Sequence, residues 1–441
     1  MSQLRLSACS AALLLAAVSS ALADPRFEGV DQPIRDGDVP PFVLSGLTPQ
    51  AEVRLIAERS SPWGPNQAYR ASAVFRADAS GMVDPTRQAP VRGDWLRVDP
   101  FALLWAADRV EASGLAAEDP LIIGLGADLD LDGVADVTAQ LDMRGGLDGV
   151  EEIAVSSDLP GAYFLRPAGE GPFPAIIALG GSEGGDRGSR SLAAPLVARG
   201  YAVLGLPYYS PTWFGRPQQI PELPVAFSEI PLDTAEAALA WLVARDDVRA
   251  DAIAIYGVSK GAEFALAAAS RIDGFAAVAA IVPTDVIWEG WGAGTAPGQN
   301  SSFSWRGEPL DFVPYEGMTE TIAALARGEQ RSLRPAHEDG RAAHPERVTP
   351  ARIAVETIDE PVYLLGGMLD NVWASGPMTV TLIERREAAG LPTFGLVYED
   401  AGHGLSGPPT TPSGAADAAA KTEAFPHLLA FFANHLGGRR E

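Results

Sequence analysis

The chain has 441 residues, 47% of them apolar, with 33 basic residues against 57 acidic ones and a net charge of −24. That length allows two or three domains and a sizeable core, and so acidic a surface argues against nucleic acid or anionic lipid as a partner. Cys9 is the only cysteine, which removes thiolate metal sites, a cysteine nucleophile and disulfide cross-links from consideration in the mature chain.

Arg5, the apolar run from Ala8 to Val18, and Ala21-Leu22-Ala23 before Asp24-Pro25 have the order of a secretory signal peptide, residues 1–23. The expectation is export, to a periplasm or outside the cell. The run is too short for a permanent spanning helix, so no stable membrane insertion is expected. Leu6-Ser7-Ala8-Cys9 has the look of a lipid-attachment box, but it precedes the apolar run instead of following it.

Residues 24–150 lack helical periodicity. Short alternating runs, such as Ala51 to Ile56, Arg70 to Phe75 and Leu121 to Leu125, lie between Gly, Pro and Asp turns, the pattern of a small β-sandwich domain. Asp128, Asp130, Asp132 and Asp136, with Gly133 at the sixth position, have calcium-loop spacing. Position twelve is Ala139, so the bidentate acid is missing and no flanking helices are evident. The reading favoured is a β-hairpin with an Asp-Gly turn, calcium being the minority alternative.

From Glu151 the pattern changes. Apolar runs at Ala175 to Leu179, Ala202 to Leu206, Ala252 to Tyr256, Phe275 to Val282, Val362 to Leu365 and Phe394 to Tyr398 alternate with helical stretches, which predicts a mainly parallel sheet flanked by helices. A helix over 233–245 has an acidic, capping-box-like start at Asp233 and Glu236, and would turn Ala235, Leu239, Leu242 and Val243 to the sheet. Residues 284–350 break the alternation, with one helix expected near Thr319 to Ala326. This insertion reads equally as a lid over a substrate or as a plain excursion.

The chemistry concentrates at three places. Tyr256-Gly257-Val258-Ser259-Lys260-Gly261 joins a buried strand to a helix, the arrangement that raises a serine hydroxyl out of a sheet for attack on a carbonyl. The five-residue pattern is weak alone; its place between strand and helix gives it weight. Serine needs a base. Of His337, His344, His403, His427 and His435, His403 lies in a Gly-bounded loop just beyond a late strand, where an α/β-hydrolase base belongs. His427 and His435 fall on the last helix, and His337 and His344 in a polar stretch that reads as solvated. The orienting carboxylate is expected at Asp370, after an intervening strand; Asp400 is its main rival, while Glu356, Asp359 and Glu360 precede that strand. Backbone donors for an oxyanion are expected from Lys260 and from the loop Gly180 to Gly185, where Gly181 and Ser182 are the candidates. That loop lacks both the P-loop lysine and the dinucleotide fingerprint, so no cofactor is expected.

Gly257-Val258-Ser259-Lys260-Gly261-Ala262-Glu263 resembles the nucleophile motif of the acyl-CoA thioesterase and bile acid-CoA:amino acid N-acyltransferase family, and the order Ser259, Asp370, His403 is similar to that family's triad. Pro172 to Ile177, Gly200 to Val203 with Pro207-Tyr208-Tyr209, Gly46 to Pro49, Ala77 to Asp84 and Ser304 to Leu310 resemble other segments of its members. The resemblance implies an α/β-hydrolase fold behind a β-sandwich and an acyl-enzyme on Ser259, resolved by water or by an amine. The family's transferases typically carry cysteine at that position, so serine points to hydrolysis, with a small-molecule acyl thioester or ester as substrate. Acyl transfer, an exported carboxylesterase with no CoA substrate, and an inert scaffold whose sandwich binds a partner are the alternatives.

Overall fold

The apolar runs of the second half become neighbours in one sheet because each is buried on both faces and can satisfy its backbone only against another strand. The structure, a computed structural model, describes residues 24–61, 66–155, 157–212 and 217–437. The expected signal peptide at 1–23 therefore lies outside the described residues.

In the first half, β1 (Arg26–Glu28) and β2 (Val43–Ser45) form an antiparallel ribbon. Six further strands, β3 (Glu52–Ser60), β4 (Gln67–Arg76), β5 (Arg92–Gly93), β6 (Asp108–Glu111), β7 (Ile122–Asp128) and β8 (Val137–Asp142), make an antiparallel sheet in the order β5-β4-β3-β7-β8, with β6 also on β4. Period-two alternation sets its buried face: Leu55 of β3 pairs with Ala73 of β4 and Ala127 of β7, and all three are buried. The sandwich is lopsided. Its second layer is only the ribbon, with Phe42 and Leu44, and one helical turn, α1 (Ala102–Trp105), packed into the same core.

The second half contributes β9 (Glu151–Ala154), β10 (Tyr163–Arg166), β11 (Phe173–Leu179), α2 (Arg187–Val197), β12 (Ala202–Gly205), β13 (Ile230–Pro231), α3 (Asp233–Val243), β14 (Val248–Val258), α4 (Lys260–Ala269) and β15 (Ala277–Ile281). Then come β16 (Phe303–Trp305), β17 (Glu308–Pro309), α5 (Met318–Ala326), α6 (Arg334–Ala343), α7 (Pro345–Val348), β18 (Val362–Gly367), α8 (Ser375–Ala388), β19 (Thr393–Tyr398) and α9 (Ala415–Leu436). The main sheet runs β9-β10-β12-β11-β14-β15-β18-β19, parallel from β12 to β19, with β10 antiparallel to both neighbours. The crossed order of β11 and β12, after an antiparallel start, is the α/β-hydrolase arrangement.

Alternation along the strands distributes the helices. Ile177, Ile255, Val278 and Leu364 face α3, α4 and α8, whereas Ile176, Ala254, Tyr256 and Tyr363 face α2 and α9. Each fully buried isoleucine here contributes about 1.5–3 kcal/mol.

Two local expectations need correcting. Helix α3 has no side-chain cap; Asp233 and Glu236 instead bind Arg306 of the insertion. Val243 is exposed, because at the last turn it has rotated off the stripe of Ala235, Leu239 and Leu242. Within 284–350 the expected helix is present as α5, and α6 and α7 are additional. β16 and β17 join β13 in a separate three-stranded sheet that caps the end of α4.

Candidate active site

Ser259 occupies the one-residue turn between β14 and α4 with φ 57° and ψ −122°, outside the regions L-residues favour. Such a conformation costs roughly 1–3 kcal/mol and persists only where its surroundings over-determine it. They do so here. Its N–H donates to the Ile281 carbonyl at 3.0 Å, and its own carbonyl accepts from Ala262 at 2.9 Å and Glu263 at 3.1 Å. The flanking glycines are sterically required: a Cβ on Gly257 would lie 1.9 Å from the Gly261 carbonyl oxygen, and one on Gly261 would lie 2.2 Å from that of Gly180.

The strand ends bring two distant side chains to this hydroxyl. His403 Nε2 stands 3.0 Å from Ser259 Oγ, and His403 Nδ1 stands 2.8 Å from Asp370 Oδ2. Asp370 follows β18 by three residues and is fully buried. Its Oδ1 accepts the Val372 N–H at 2.8 Å and the Trp373 N–H at 3.3 Å. Burial works to raise its carboxyl, but the hydrogen bond and charge of His403, with help from Ser375 and Val372, hold it below the usual carboxylate range. Trp373 sets its ring edge-on to His403, centroids 5.6 Å apart, and anchors its indole N–H on the Val282 carbonyl at 3.1 Å. Asp400 is exposed, and Glu356, Asp359 and Glu360 precede β18 at the opposite edge of the sheet.

The other histidines lie elsewhere. His427 and His435 are exposed on α9, and His344 pairs with Glu316 at 3.1 Å. His337 contradicts its solvated reading. Helix α6 turns it inward with Ala336 and Gly340, and it is buried among Trp288, Tyr315 and Trp373. Burial pushes its pKa down to about 3, so it stays neutral.

Of the expected oxyanion donors, Lys260 is the first residue of α4, so its N–H has no acceptor inside the helix. Gly181 lies against the nucleophile: a Cβ there would sit 3.2 Å from Ser259 Cβ. Its N–H, however, is committed to Glu183 Oε1 at 2.9 Å, which corrects its reading as a donor. The Ser182 N–H donates to no acceptor among the described residues. Tyr208 donates its hydroxyl to the Gly180 and Gly181 carbonyls at 2.7 and 3.1 Å, and Tyr209 donates to that of Ser182, fixing the loop from behind. Glu183 folds back over Gly180 and Gly188, whose missing side chains make its cradle. Glu183 is exposed on the cleft wall, while the protein packed around its carboxyl pushes it up, against its backbone bonds and the charge of His403.

Beneath the turn lies an ion pair that the sequence reading did not identify. Lys260 Nζ and Glu263 Oε2 are 2.5 Å apart, both buried, and Lys260 also donates to Ser302 Oγ at 2.9 Å. Glu263 Oε1 accepts the Trp288 N–H at 3.0 Å, and the ammonium lies 5.0 Å above the Phe227 ring. Burial moves both groups toward neutrality, the ammonium down and the carboxyl up. The pair therefore ties α4 to the insertion. A cleft of about 1030 Å³ is walled by Ser182, Glu183 and Gly184 on one side and by Ile322 and Leu325 of α5 on the other. Ser259 and His403 are not among its wall residues.

The acidic loop is a hairpin connection of eight residues between β7 and β8, longer than a two-residue Asp-Gly turn. Asp128, Asp130 and Asp136 offer oxygens within 4.8 Å of one another, and Asp132 does not join them. Asp128 Oδ2 is answered by Arg54 at 2.8 Å and by the Gly133 N–H at 3.0 Å, while its buried Oδ1 has no partner among the described residues. Among the described residues, no helix is long and apolar enough to cross a membrane.

Two family models match: "Acyl-CoA thioester hydrolase/BAAT N-terminal region" over residues 42–121 and "BAAT / Acyl-CoA thioester hydrolase C terminal" over residues 230–438. Acyl-coenzyme A thioesterase 1 of Rattus norvegicus is 25% identical over 90% of this chain and 93% of its own. Acyl-coenzyme A thioesterase 5 of Mus musculus is 29% identical over 54% of this chain and 56% of its own. A solved 2,6-dihydroxy-pseudo-oxynicotine hydrolase superposes with a TM-score of 0.37 at 16% identity, over 65% of this chain and 67% of that one; the fold assignment rests on the strand order. With both family models matched in their proper order, one on the sandwich and one across the nucleophile, the chain belongs to the acyl-CoA thioester hydrolase/BAAT family.

Proposed function

We propose that this chain is a serine hydrolase that cleaves acyl thioesters or esters through an acyl intermediate on Ser259. The observation that carries the reading is the hydrogen-bonded chain Ser259 Oγ, His403, Asp370, at 3.0 and 2.8 Å. In the acylation step His403 Nε2 takes the hydroxyl proton as Oγ attacks the carbonyl carbon. The oxyanion is received by the Lys260 and Ser182 N–H groups. The carbon–sulfur or carbon–oxygen bond then breaks, and the leaving group departs with the proton held on His403. Water repeats the sequence, releasing the carboxylic acid and restoring Ser259. Asp370 fixes the tautomer that keeps Nε2 free to accept, and stabilises the imidazolium.

The relatives are named as acyl-coenzyme A thioesterases, which supports an acyl thioester as the substrate class. Serine in place of cysteine at the nucleophile supports hydrolysis over transfer, and the leader at 1–23 supports export. A fluorophosphonate should label wild-type protein at Ser259 and leave Ser259→Ala unlabelled. In a panel of acyl-CoA, aryl esters and lipid esters, the same variant should lose turnover by several orders of magnitude. Wild-type protein that takes no label, or a Ser259→Ala variant that retains turnover, overturns the reading.

A further inference from the structure

The general base is held from outside the triad. Asp417, in the first turn of α9, directs neither carboxylate oxygen at its own helix. Oδ1 accepts the Gly402 N–H at 2.5 Å and Oδ2 accepts the Gly404 N–H at 3.1 Å. These are the N–H groups of the two residues on either side of His403. A carboxylate has two oxygens that can each take a charge-assisted hydrogen bond at nearly fixed separation, so one side chain grips both flanks of the base. The fit is close: a Cβ on Gly404 would sit 2.5 Å from Asp417 Oδ2. On the loop's other side, Leu369 donates its N–H to the Ala401 carbonyl at 2.9 Å, tying the loop to the segment that carries Asp370.

The clamp is itself anchored. The residue before α9's N-cap, Ser413, donates its N–H to the Trp105 carbonyl at 3.0 Å, and Ala418, next to Asp417, packs in the core of the N-terminal sheet. Lys421, one turn on, is buried and donates to the Thr411 carbonyl at 3.0 Å. The amino end of α9 is thus wedged between the sandwich and the base loop.

We propose that Asp417 is a positioning residue for His403, setting the imidazole at its working distance from Ser259, and that the sandwich supports it there. This inference rests on Ser259 being the acylated nucleophile. Displacement of a reacting group by about 1 Å can cost on the order of 10²-fold in rate. Asp417→Ala should therefore lower kcat per active site by about that factor with KM little changed. The rate of fluorophosphonate labelling of Ser259, which also needs the base, should fall in parallel. Asp417→Asn keeps one acceptor and should show a smaller loss of the same kind.

Normalising activity to serines titrated at complete labelling separates this from a fold defect, which would reduce the number of sites and leave each at full rate. Wild-type-like kcat per titrated site and an unchanged labelling rate in Asp417→Ala overturn the proposal while leaving Ser259 as the nucleophile. No labelling of wild-type protein overturns that earlier reading, and with it this one.

Discussion

At the scale of single residues, the site is a problem of holding a hydroxyl in a costly conformation and giving it one correctly protonated neighbour. On the proposed mechanism Asp370 carries the second task. Its buried carboxylate accepts hydrogen bonds from His403 Nδ1–H and from two backbone N–H groups at once. Replacing it with asparagine keeps the shape and removes the charge. An amide that offers N–H to Nδ1 stabilises the tautomer whose proton is on Nε2, where the Ser259 proton must go. Asp370→Asn should accordingly lower kcat by about 10⁴-fold with KM nearly unchanged, measured on any ester the wild-type enzyme turns over. A loss below tenfold would return the orienting role to another group. Ser259 and His403 were legible because each sits in a short string whose chemistry is local, glycine, serine and glycine between strand and helix or a glycine-bounded histidine past a late strand, and Asp370 only by its place after an intervening strand. Gly181 was misread for a reason no local string reveals. Glu183 folds back two residues to take its N–H, a side-chain path set by the gap at Gly188.

At the scale of elements, α4 and the insertion are joined through charge. Lys260 and Glu263 are three residues apart on one helix face, a spacing visible in the sequence, yet nothing there indicates that this face is buried against Ser302 and Trp288 of the insertion. The same holds for His337. Its neighbours in sequence are charged, but the helical period turns position 337 into an aromatic cage while Glu338 faces out. Periodicity identifies an amphipathic helix; it does not say which partner the less polar face meets. Glu263→Gln should cost about 3–5 kcal/mol, because it leaves a buried ammonium without its counter-charge. The double variant Lys260→Met/Glu263→Leu should recover most of that loss. The remainder is the Trp288 N–H left without an acceptor, worth about 1–3 kcal/mol. Chemical denaturation of the three proteins tests this, and equal stability of the single and double variants would mean that the pair is not the tie between α4 and the insertion.

At the scale of the whole molecule, the sandwich and the hydrolase sheet meet around a buried polar seam. Arg59 of β3 donates to the Thr410 carbonyl at 2.8 Å, Thr410 donates to Asp36, and Lys421 of α9 lies fully buried beside them. Burial pushes the Lys421 pKa down to about 8; Asp417 opposes this, Arg59 reinforces it and Asp36 opposes it. The unfolded chain binds that proton with the ordinary value of 10.5. Between about pH 8 and 10.5 the unfolded state therefore holds a proton that the folded state does not, so stability rises with pH across this window. Below pH 8 the full cost of keeping the charged lysine buried applies, about 3 kcal/mol at 1.36 kcal/mol per unit. Lys421→Met removes that cost and also the hydrogen bond to Thr411, worth about 1 kcal/mol. The variant should thus be the more stable protein at pH 7, by about 2 kcal/mol, and should lose that advantage as pH approaches 10. Urea denaturation of both proteins at pH 7, 8.5 and 10 measures the difference. A gap of constant size across the three would mean that Lys421 does not titrate in the folded seam.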